Sequence, residues 1–359
     1  MKIPYTDLQA QYQFCKTEVD EAIKYVIDTN QFITGPIVDE FENDFSVYTG
    51  AESCASVGSG SMALILALKA LGIGKGQEVI TTPMTFVATP EAICNVGASP
   101  VFVDVDENYL IDVNKIEEAI TDKTSAILFV DLYGQSPNLD RLNDIAKKHR
   151  LFIIEDAAQS AGASFGNKII GHHDNADLTC FSFNPVKNFG AMGDAGGVTG
   201  TKQLIDKVKL YRDHGRSERY SYDTVGYNSR IDCMQAKILT AKLPALDEMI
   251  QKKRDICHRY NDQLKNVVTP EETRGAIHSY YAYVIRHEDR DGLQKHLQDN
   301  GIQTNIHYKG TCHTQPAYSN YKSNCPVAEE YTKQILSIPS YFTLTEEQQG
   351  YIVEKINEY

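Results

Sequence analysis

The residue whose setting most invites chemistry is a lysine. Lys187 lies in FSFNPVKNFGAMGDAGG, residues 181–197, between an apolar run and a series of glycines. A lysine amine forms a Schiff base with a carbonyl when its pocket activates it. A carbonyl cofactor such as pyridoxal phosphate asks four things of a protein: that lysine, a cup for the phosphate, a carboxylate that keeps the pyridine nitrogen protonated, and a flat surface against the ring. Each has a candidate here. GSGSMA, residues 58–63, follows the strand-like CASV and opens a helix. Gly60, Ser61 and Met62 therefore offer free N–H groups at the positive end of a helix dipole, and Ser182 adds a hydroxyl. Asp156 closes the apolar run LFIIED, with Gln159 three residues on, and Phe86 follows the strand-like EVITTP. Taken singly these are a turn of small residues, a helix cap and a core phenylalanine. All four together on loops that follow strands are a stronger signal than any one.

Other chemistries fit less well. GSGSMA also matches the dinucleotide fingerprint G-x-G-x-x-A, but that fingerprint expects an acid at the end of the next strand. Here that strand ends in TTP, with Glu78 at its start, and a nicotinamide enzyme would leave Lys187 unexplained. GHHDNAD offers His172, His173 and Asp174 to a metal. Adjacent histidines are expected to point apart and no further ligand is spaced to join them, so no metal is expected.

The elements that must position these residues alternate. CASVG, EVITTP, SPVFVDV, TSAILFVDL, LFIIED, TCFSF and AGGVTG read as strands. SMALILALKALGIG, TPEAICNVG, NKIEEAI, NLDRLNDIAKKH and KQLIDKVKLYRDHG read as helices between or after them. Such alternation predicts an α/β fold with a mostly parallel sheet flanked by helices, and in such sheets ligands sit beyond the carboxyl ends of the strands. After about residue 234 the pattern changes to a long helical stretch, broken at Pro244. Strands SYYAYVIR and IQTNIH and helices GLQKHLQDN, VAEEYTKQIL and EEQQGYIVEKINE follow. The expected division is a large cofactor-binding domain, 1–240, including an N-terminal arm, and a connecting helix with a small C-terminal α+β domain, 241–359.

Composition narrows the partners. The chain has 359 residues, 42% of them apolar and 23% charged, with a formal net charge of -13. That balance disfavours nucleic acid and anionic membrane as main partners, and no run approaches a membrane span. MKIPYTDLQAQYQF has no apolar signal-like region. The eight cysteines are scattered without a C-x-x-C pair, as in a reduced cytoplasmic protein.

At this point the chain resembles the DegT/DnrJ/EryC1/StrS family of sugar aminotransferases, fold-type-I pyridoxal-phosphate enzymes. The likeness runs almost end to end through IPYTDLQAQY, FITGPIVDEFE, GSGSMALILALKALGIGKGQEVITTPMTFVAT, PVFVDVD, IIEDAAQSAGA, FSFNPVKNFGAMGDAGG, GYNSRIDCMQAKIL and TNIHYKGTCHTQPAY. The resemblance implies that Lys187 carries the cofactor and moves the proton, Asp156 pairs with the pyridine nitrogen, Gln159 contacts the ring hydroxyl and Phe86 stacks on the ring. It implies that the amides of Ser61 and Met62 hold the phosphate with Ser182; the family commonly has threonine and aspartate at those two positions. Asn228 would reach the cofactor phosphate of a neighbouring subunit, which implies a homodimer with shared sites. His307, Tyr308 and His313 would line the substrate side, and Arg230, Lys309 and Arg219 are candidates for a diphosphate. Some relatives carry histidine in place of the lysine and dehydrate; Lys187 favours amino transfer. The implied reaction takes an amino group from glutamate to a keto-sugar on a nucleoside diphosphate. NFGAMGDAGG resembles the loop of enzymes acting on 3-keto sugars, such as dTDP-3-keto-6-deoxyhexoses; the 4-keto enzymes more often carry T-G-E-G-G. A 4-keto or UDP-linked sugar, a cyclitol, and a non-catalytic relative that keeps the fold are the alternatives.

Overall fold

The computed structural model describes every residue except 322. Seven strands make the main sheet: β1 (Ser53–Val57), β2 (Glu78–Thr81), β3 (Ser99–Phe102), β4 (Thr124–Val130), β5 (Phe152–Asp156), β6 (Leu178–Ser182) and β7 (Gly196–Gly200). Their spatial order is β1-β7-β6-β5-β4-β2-β3. β2 to β6 pair in parallel, and β7 runs antiparallel to both β1 and β6. The parallel strands are almost wholly buried, as expected where helices cover both faces.

Register brings the chemistry together. Val130 pairs with Asp156, Ser182 with Gly196, and Gly196 with Val57. The ends of β1, β4, β5 and β6 and the start of β7 therefore open at one edge of the sheet. Three helices, α1 (Leu8–Phe14), α2 (Lys16–Thr29) and α3 (Pro36–Thr49), precede the sheet. α4 (Gly60–Ala70), α5 (Ala88–Asn95), α6 (Leu139–His149) and α7 (Lys202–Arg212) lie between or after its strands. α4 is buried along almost its whole length, from Ala63 to Ala70.

The helical pattern broken at Pro244 is α8 (Cys233–Lys242), a 3-10 turn at Leu243–Ala245, and α9 (Leu246–Gln263). Beyond it come α10 (Arg290–Asp299), α11 (Pro326–Gln334) and α12 (Glu346–Asn357), with a two-stranded antiparallel sheet of β8 (Tyr283–Arg286) and β9 (Ile335–Ile338). Three of the elements read from the sequence take another form in the structure. NKIEEAI keeps only a 3-10 turn, Glu117–Ala119. IQTNIH makes isolated bridges instead of a strand, Ile302 with Ile3 and Asn305 with Ser337. Ile335–Ile338, read as the end of a helix, is a strand because it pairs with β8 and is completely buried, a tertiary gain that outweighs local helix propensity. The bridge at Ile3 also attaches the start of the chain to this C-terminal region.

Candidate active site

A cavity of about 520 Å³ opens at the sheet edge. Gly60, Ser61, Phe86, Asp156, Gln159, Ser182, Lys187, His307 and Tyr308 all line it. Residues from positions 60 to 308 thus converge on one space.

Asp156 forms its floor. Burial raises its carboxyl above the ordinary value, with Lys187 as the opposing charge. Thr89 Oγ1 donates to its Oδ2 at 2.8 Å, and the Ala158 amide donates to Oδ1 at 3.2 Å. Thr89 is in turn within 2.8 Å of the Thr85 hydroxyl. A carboxylate has about four acceptor positions, so these two donors orient Asp156 without exhausting it. Behind it, Asp131 and Glu155 are completely buried. Burial raises both carboxyls, and each also feels the other.

Lys187 faces the floor from the loop after β6. Its Nζ lies 4.3 Å from the centre of the Tyr281 ring. Burial lowers its amine to about 8, partly offset by Asp156. Only a neutral amine attacks a carbonyl. Capture of pyridoxal phosphate by cofactor-free protein should therefore accelerate as pH rises through about 8, in stopped-flow absorbance. The rate should level off above that value, and a rate still climbing steeply well above it would show that the amine is not depressed.

The phosphate end is built by close backbone approach. A Cβ on Gly60 would stand 2.7 Å from Ser182 Cβ, and one on Gly196 would stand 2.5 Å from the Ser59 carbonyl. Only glycine leaves this cradle open. Ser59 caps α4 by accepting from the Met62 amide at 3.2 Å. Met62 does not line the cavity, whereas Gly60 and Ser61 do. Overpacking of this kind costs about 1–3 kcal/mol, so Gly60→Ala should weaken cofactor binding about tenfold or more. A spectroscopic titration with pyridoxal phosphate reads this directly, and unchanged affinity would remove the turn from the phosphate site.

Phe86 is 54% exposed, in a position to cover a flat ligand, with its ring centre 6.0 Å from that of Tyr308. Gln159 Nε2 donates to the Tyr308 hydroxyl at 3.2 Å, and Gln159 Oε1 accepts from the Tyr133 amide at 2.8 Å. His307 is buried, 2.9 Å from Ser337 Oγ through Nδ1 and 3.1 Å from Asn305 Nδ2 through Nε2. Burial, then Lys187, lowers His307 to about 4, so it is neutral near pH 7.

Other sequence candidates lie elsewhere. Asn228 and Arg230 bond each other at 2.9 Å, and Arg230 pairs with Asp213 at 3.0 Å. Neither lines this cavity. His313 Nε2 pairs with Glu329 at 3.1 Å, also outside it. Lys309 is exposed, and Arg219 lies over the exposed Tyr220 ring. His172 and His173 do not point apart as expected: their rings stack at 4.5 Å. The tight turn at 172–175 does this, with the Asp174 amide donating to His172 Nδ1 and His173 Nδ1 held at the Gly50 carbonyl. Asp174 is already paired with Lys168 at 2.6 Å.

The sequence assigns no role to Thr89, Asn184, Asp194 or Tyr281, which also belong to this site. Thr89 lies in the first turn of α5, three residues after Phe86. Asn184 Nδ2 donates to Asp194 Oδ1 at 3.0 Å on the cavity wall. Tyr281 arrives from beyond α9 and had no local signal.

The parts present fit pyridoxal phosphate: a depressed lysine, an unsaturated buried carboxylate, a glycine cradle at a helix start, and an exposed aromatic face. Comparison with known proteins agrees. The DegT/DnrJ/EryC1/StrS aminotransferase family profile matches residues 14–357. A "pleiotropic regulatory protein" of Geobacillus stearothermophilus is 41% identical, over 100% of this chain and 99% of its own. The dTDP-3-amino-3,6-dideoxy-alpha-D-galactopyranose transaminase of Aneurinibacillus thermoaerophilus is 38% identical over 99% of each chain. The structure of DesV from S. venezuelae, solved with a ketimine intermediate, superposes with a TM-score of 0.96 at 35% identity, covering 99% of this chain and 98% of that one. The chain belongs to the DegT/DnrJ/EryC1/StrS aminotransferase family, and it is an aminotransferase whose cofactor is pyridoxal phosphate.

Proposed function

We propose that this enzyme moves an amino group from glutamate to C3 of a keto-sugar linked to a nucleoside diphosphate, a dTDP-3-keto-6-deoxyhexose being the preferred acceptor. The observation that carries the reading is the convergence of Lys187, Asp156 and Phe86 on one cavity. The Aneurinibacillus relative, named for a 3-amino sugar, supports the position of amination. Bound pyridoxal phosphate supplies an electron sink, so that a proton can leave the carbon bearing the transferred nitrogen. Lys187 takes that proton at Nζ and returns it to the neighbouring carbon. Asp156 holds a proton on the ring nitrogen, and Thr89 and the Ala158 amide hold Asp156. Phe86 covers the ring, and Gln159 reaches its hydroxyl. The amides of Gly60 and Ser61, with Ser182, bind the phosphate. His307 and Tyr308 face the substrate.

The working form in this reading is a cytoplasmic homodimer. Asn228, Arg230 and His313 lie off this chain's own cavity, and Asn228 and Arg230 would serve a partner's site. Exposed apolar side chains outside the cavity support such pairing: Phe32, Ile33 and Met192, with Tyr220, Tyr222 and Val225 in and beside the hairpin of Arg216–Glu218 and Ser221–Tyr222.

The test is in two parts. Glutamate added to the cofactor-loaded enzyme should bleach the visible absorbance of lysine-bound cofactor. The product should then aminate members of a panel of 3-keto and 4-keto nucleotide sugars. Amination of the 3-keto dTDP-sugar supports the reading; amination of 4-keto sugars alone would overturn the position. No response to glutamate would overturn the donor.

A further inference from the structure

A second cavity, of about 170 Å³, is also lined by Lys187. It shares Val186, Lys187, Tyr281 and His307 with the first, so the two meet at the lysine. One water occupies roughly 10–15 Å³ of such space, so the recess has room for about ten waters or a small organic acid.

Its charge differs from that of the larger cavity. The larger one is lined by two acids, Asp156 and Asp194, and by no cation except Lys187. Among this chain's own residues lining that cavity, an amino acid presenting its nitrogen to the site of Lys187 finds no other cation to meet a carboxylate. The smaller recess has one. Lys253, on α9, donates from Nζ to Asn188 Oδ1 at 3.0 Å and to the Tyr281 carbonyl at 3.1 Å. Both acceptors are neutral, and among the described residues no carboxylate lies within ion-pair distance of Lys253. An ammonium has three donors, so one is left. Asp7 is the acid on the same wall, and its Oδ1 accepts from the Ala10 amide at 2.8 Å at the start of α1. Burial lowers the Lys253 amine to about 8, as expected of a cation taken from water without an anion beside it.

We propose that this recess is the amino-donor subsite, with Lys253 as counter-ion to a carboxylate of the donor amino acid. The proposal rests on the reading of the enzyme as a glutamate-dependent aminotransferase and adds the residue that recognises the donor. Seated there, the donor would approach the position of Lys187 from the recess and leave the larger cavity to the nucleotide sugar.

The test uses the cofactor-loaded enzyme, in which Lys187 is occupied, and glutarate, which has the two carboxylates of glutamate and no amino group. Isothermal titration at about pH 8, near the Lys253 value, in two buffers of different ionisation heat, reads affinity and proton uptake together. A carboxylate beside Lys253 raises its amine, so binding should take up protons. Lys253→Met should weaken glutarate about 10–100-fold, the range for a charge-assisted hydrogen bond, and abolish the proton uptake. Lys253→Arg should keep most of the affinity. The KM for glutamate should rise in the methionine variant while the KM for the keto-sugar stays. Glutarate binding and proton uptake that survive Lys253→Met would overturn the proposal. So would a variant in which both KM values and the cofactor absorbance change together, since that is the mark of a lysine that merely positions Asn188. Glutarate binding requires no turnover, so a failed glutamate reaction with intact glutarate binding would refute the donor and leave the anion subsite standing.

Discussion

Lys187→Ala is expected to abolish transamination, by at least about 10⁴-fold, because one side chain provides both the covalent anchor and the moving proton. The visible absorbance of lysine-bound cofactor should vanish with it. The fold should survive. Lys187 Nζ has no carboxylate partner within ion-pair distance among the described residues, and its contact with the Tyr281 ring is a cation–π one at 4.3 Å. Such a contact stabilises by about 0.5–2 kcal/mol. Against that stands the desolvation that lowers the amine to about 8, a cost that the alanine removes. The two nearly cancel, and the melting temperature should move by no more than about 3 °C. Lys187→Arg separates charge from chemistry: a guanidinium keeps the cation over Tyr281 but does not form the Schiff base or give up its proton. It should be as inactive as alanine. Turnover at the native rate in either variant would show that another residue carries the cofactor.

Much of this site was legible because a parallel sheet puts its chemistry where its strands end. Asp156 and Ser182 are the last residues of β5 and β6, Phe86 and Lys187 follow β2 and β6 within a few residues, and the glycines of 58–60 follow β1. Strand periodicity was enough to group them. In the phosphate turn, the run of small residues does not reveal that the Ser59 side chain caps α4 by accepting from the Met62 amide. Residues delivered by long-range packing were hidden. Lys253 sits in the charged run QKKRD, which reads as the solvated face of a helix, yet α9 turns this lysine inward to Asn188, 65 positions away. Tyr281 lies in an apolar run that reads as core. Ile335–Ile338 continues the amphipathic pattern of α11 and becomes a strand only because β8 is there to pair with it.

Asp156→Asn should lower turnover about 10²–10³-fold, the usual scale for removing one charged group aimed at developing charge, and should leave the lysine-bound cofactor visible. That pattern is the reverse of Lys187→Ala on the spectroscopic axis. The substitution suits the local hydrogen bonds. The amide oxygen can take the place of Oδ1 and accept from the Ala158 amide, while the NH₂ faces Thr89, which then turns its own proton to Thr85. Both hydrogen bonds to the side chain are thereby kept. What is lost is the charge that keeps the ring nitrogen protonated. The same charge gives a stability signature. Burial raises Asp156 in the cofactor-free protein, so the folded state binds this proton more tightly than the unfolded chain does. Folding is therefore penalised as pH climbs from the unfolded value through the raised one. Asparagine escapes that penalty, and near neutral pH the cofactor-free variant should melt at or above the parent. Cofactor should invert the order, because only the aspartate gains a cationic partner in the ring nitrogen. Melting curves with and without pyridoxal phosphate, run on both proteins, check this. An equal cofactor-induced rise in the two would take Asp156 away from the ring nitrogen, as would near-native turnover of the variant. Asp156→Glu, which keeps the charge on a longer arm, should recover part of both the rate and the cofactor-induced rise.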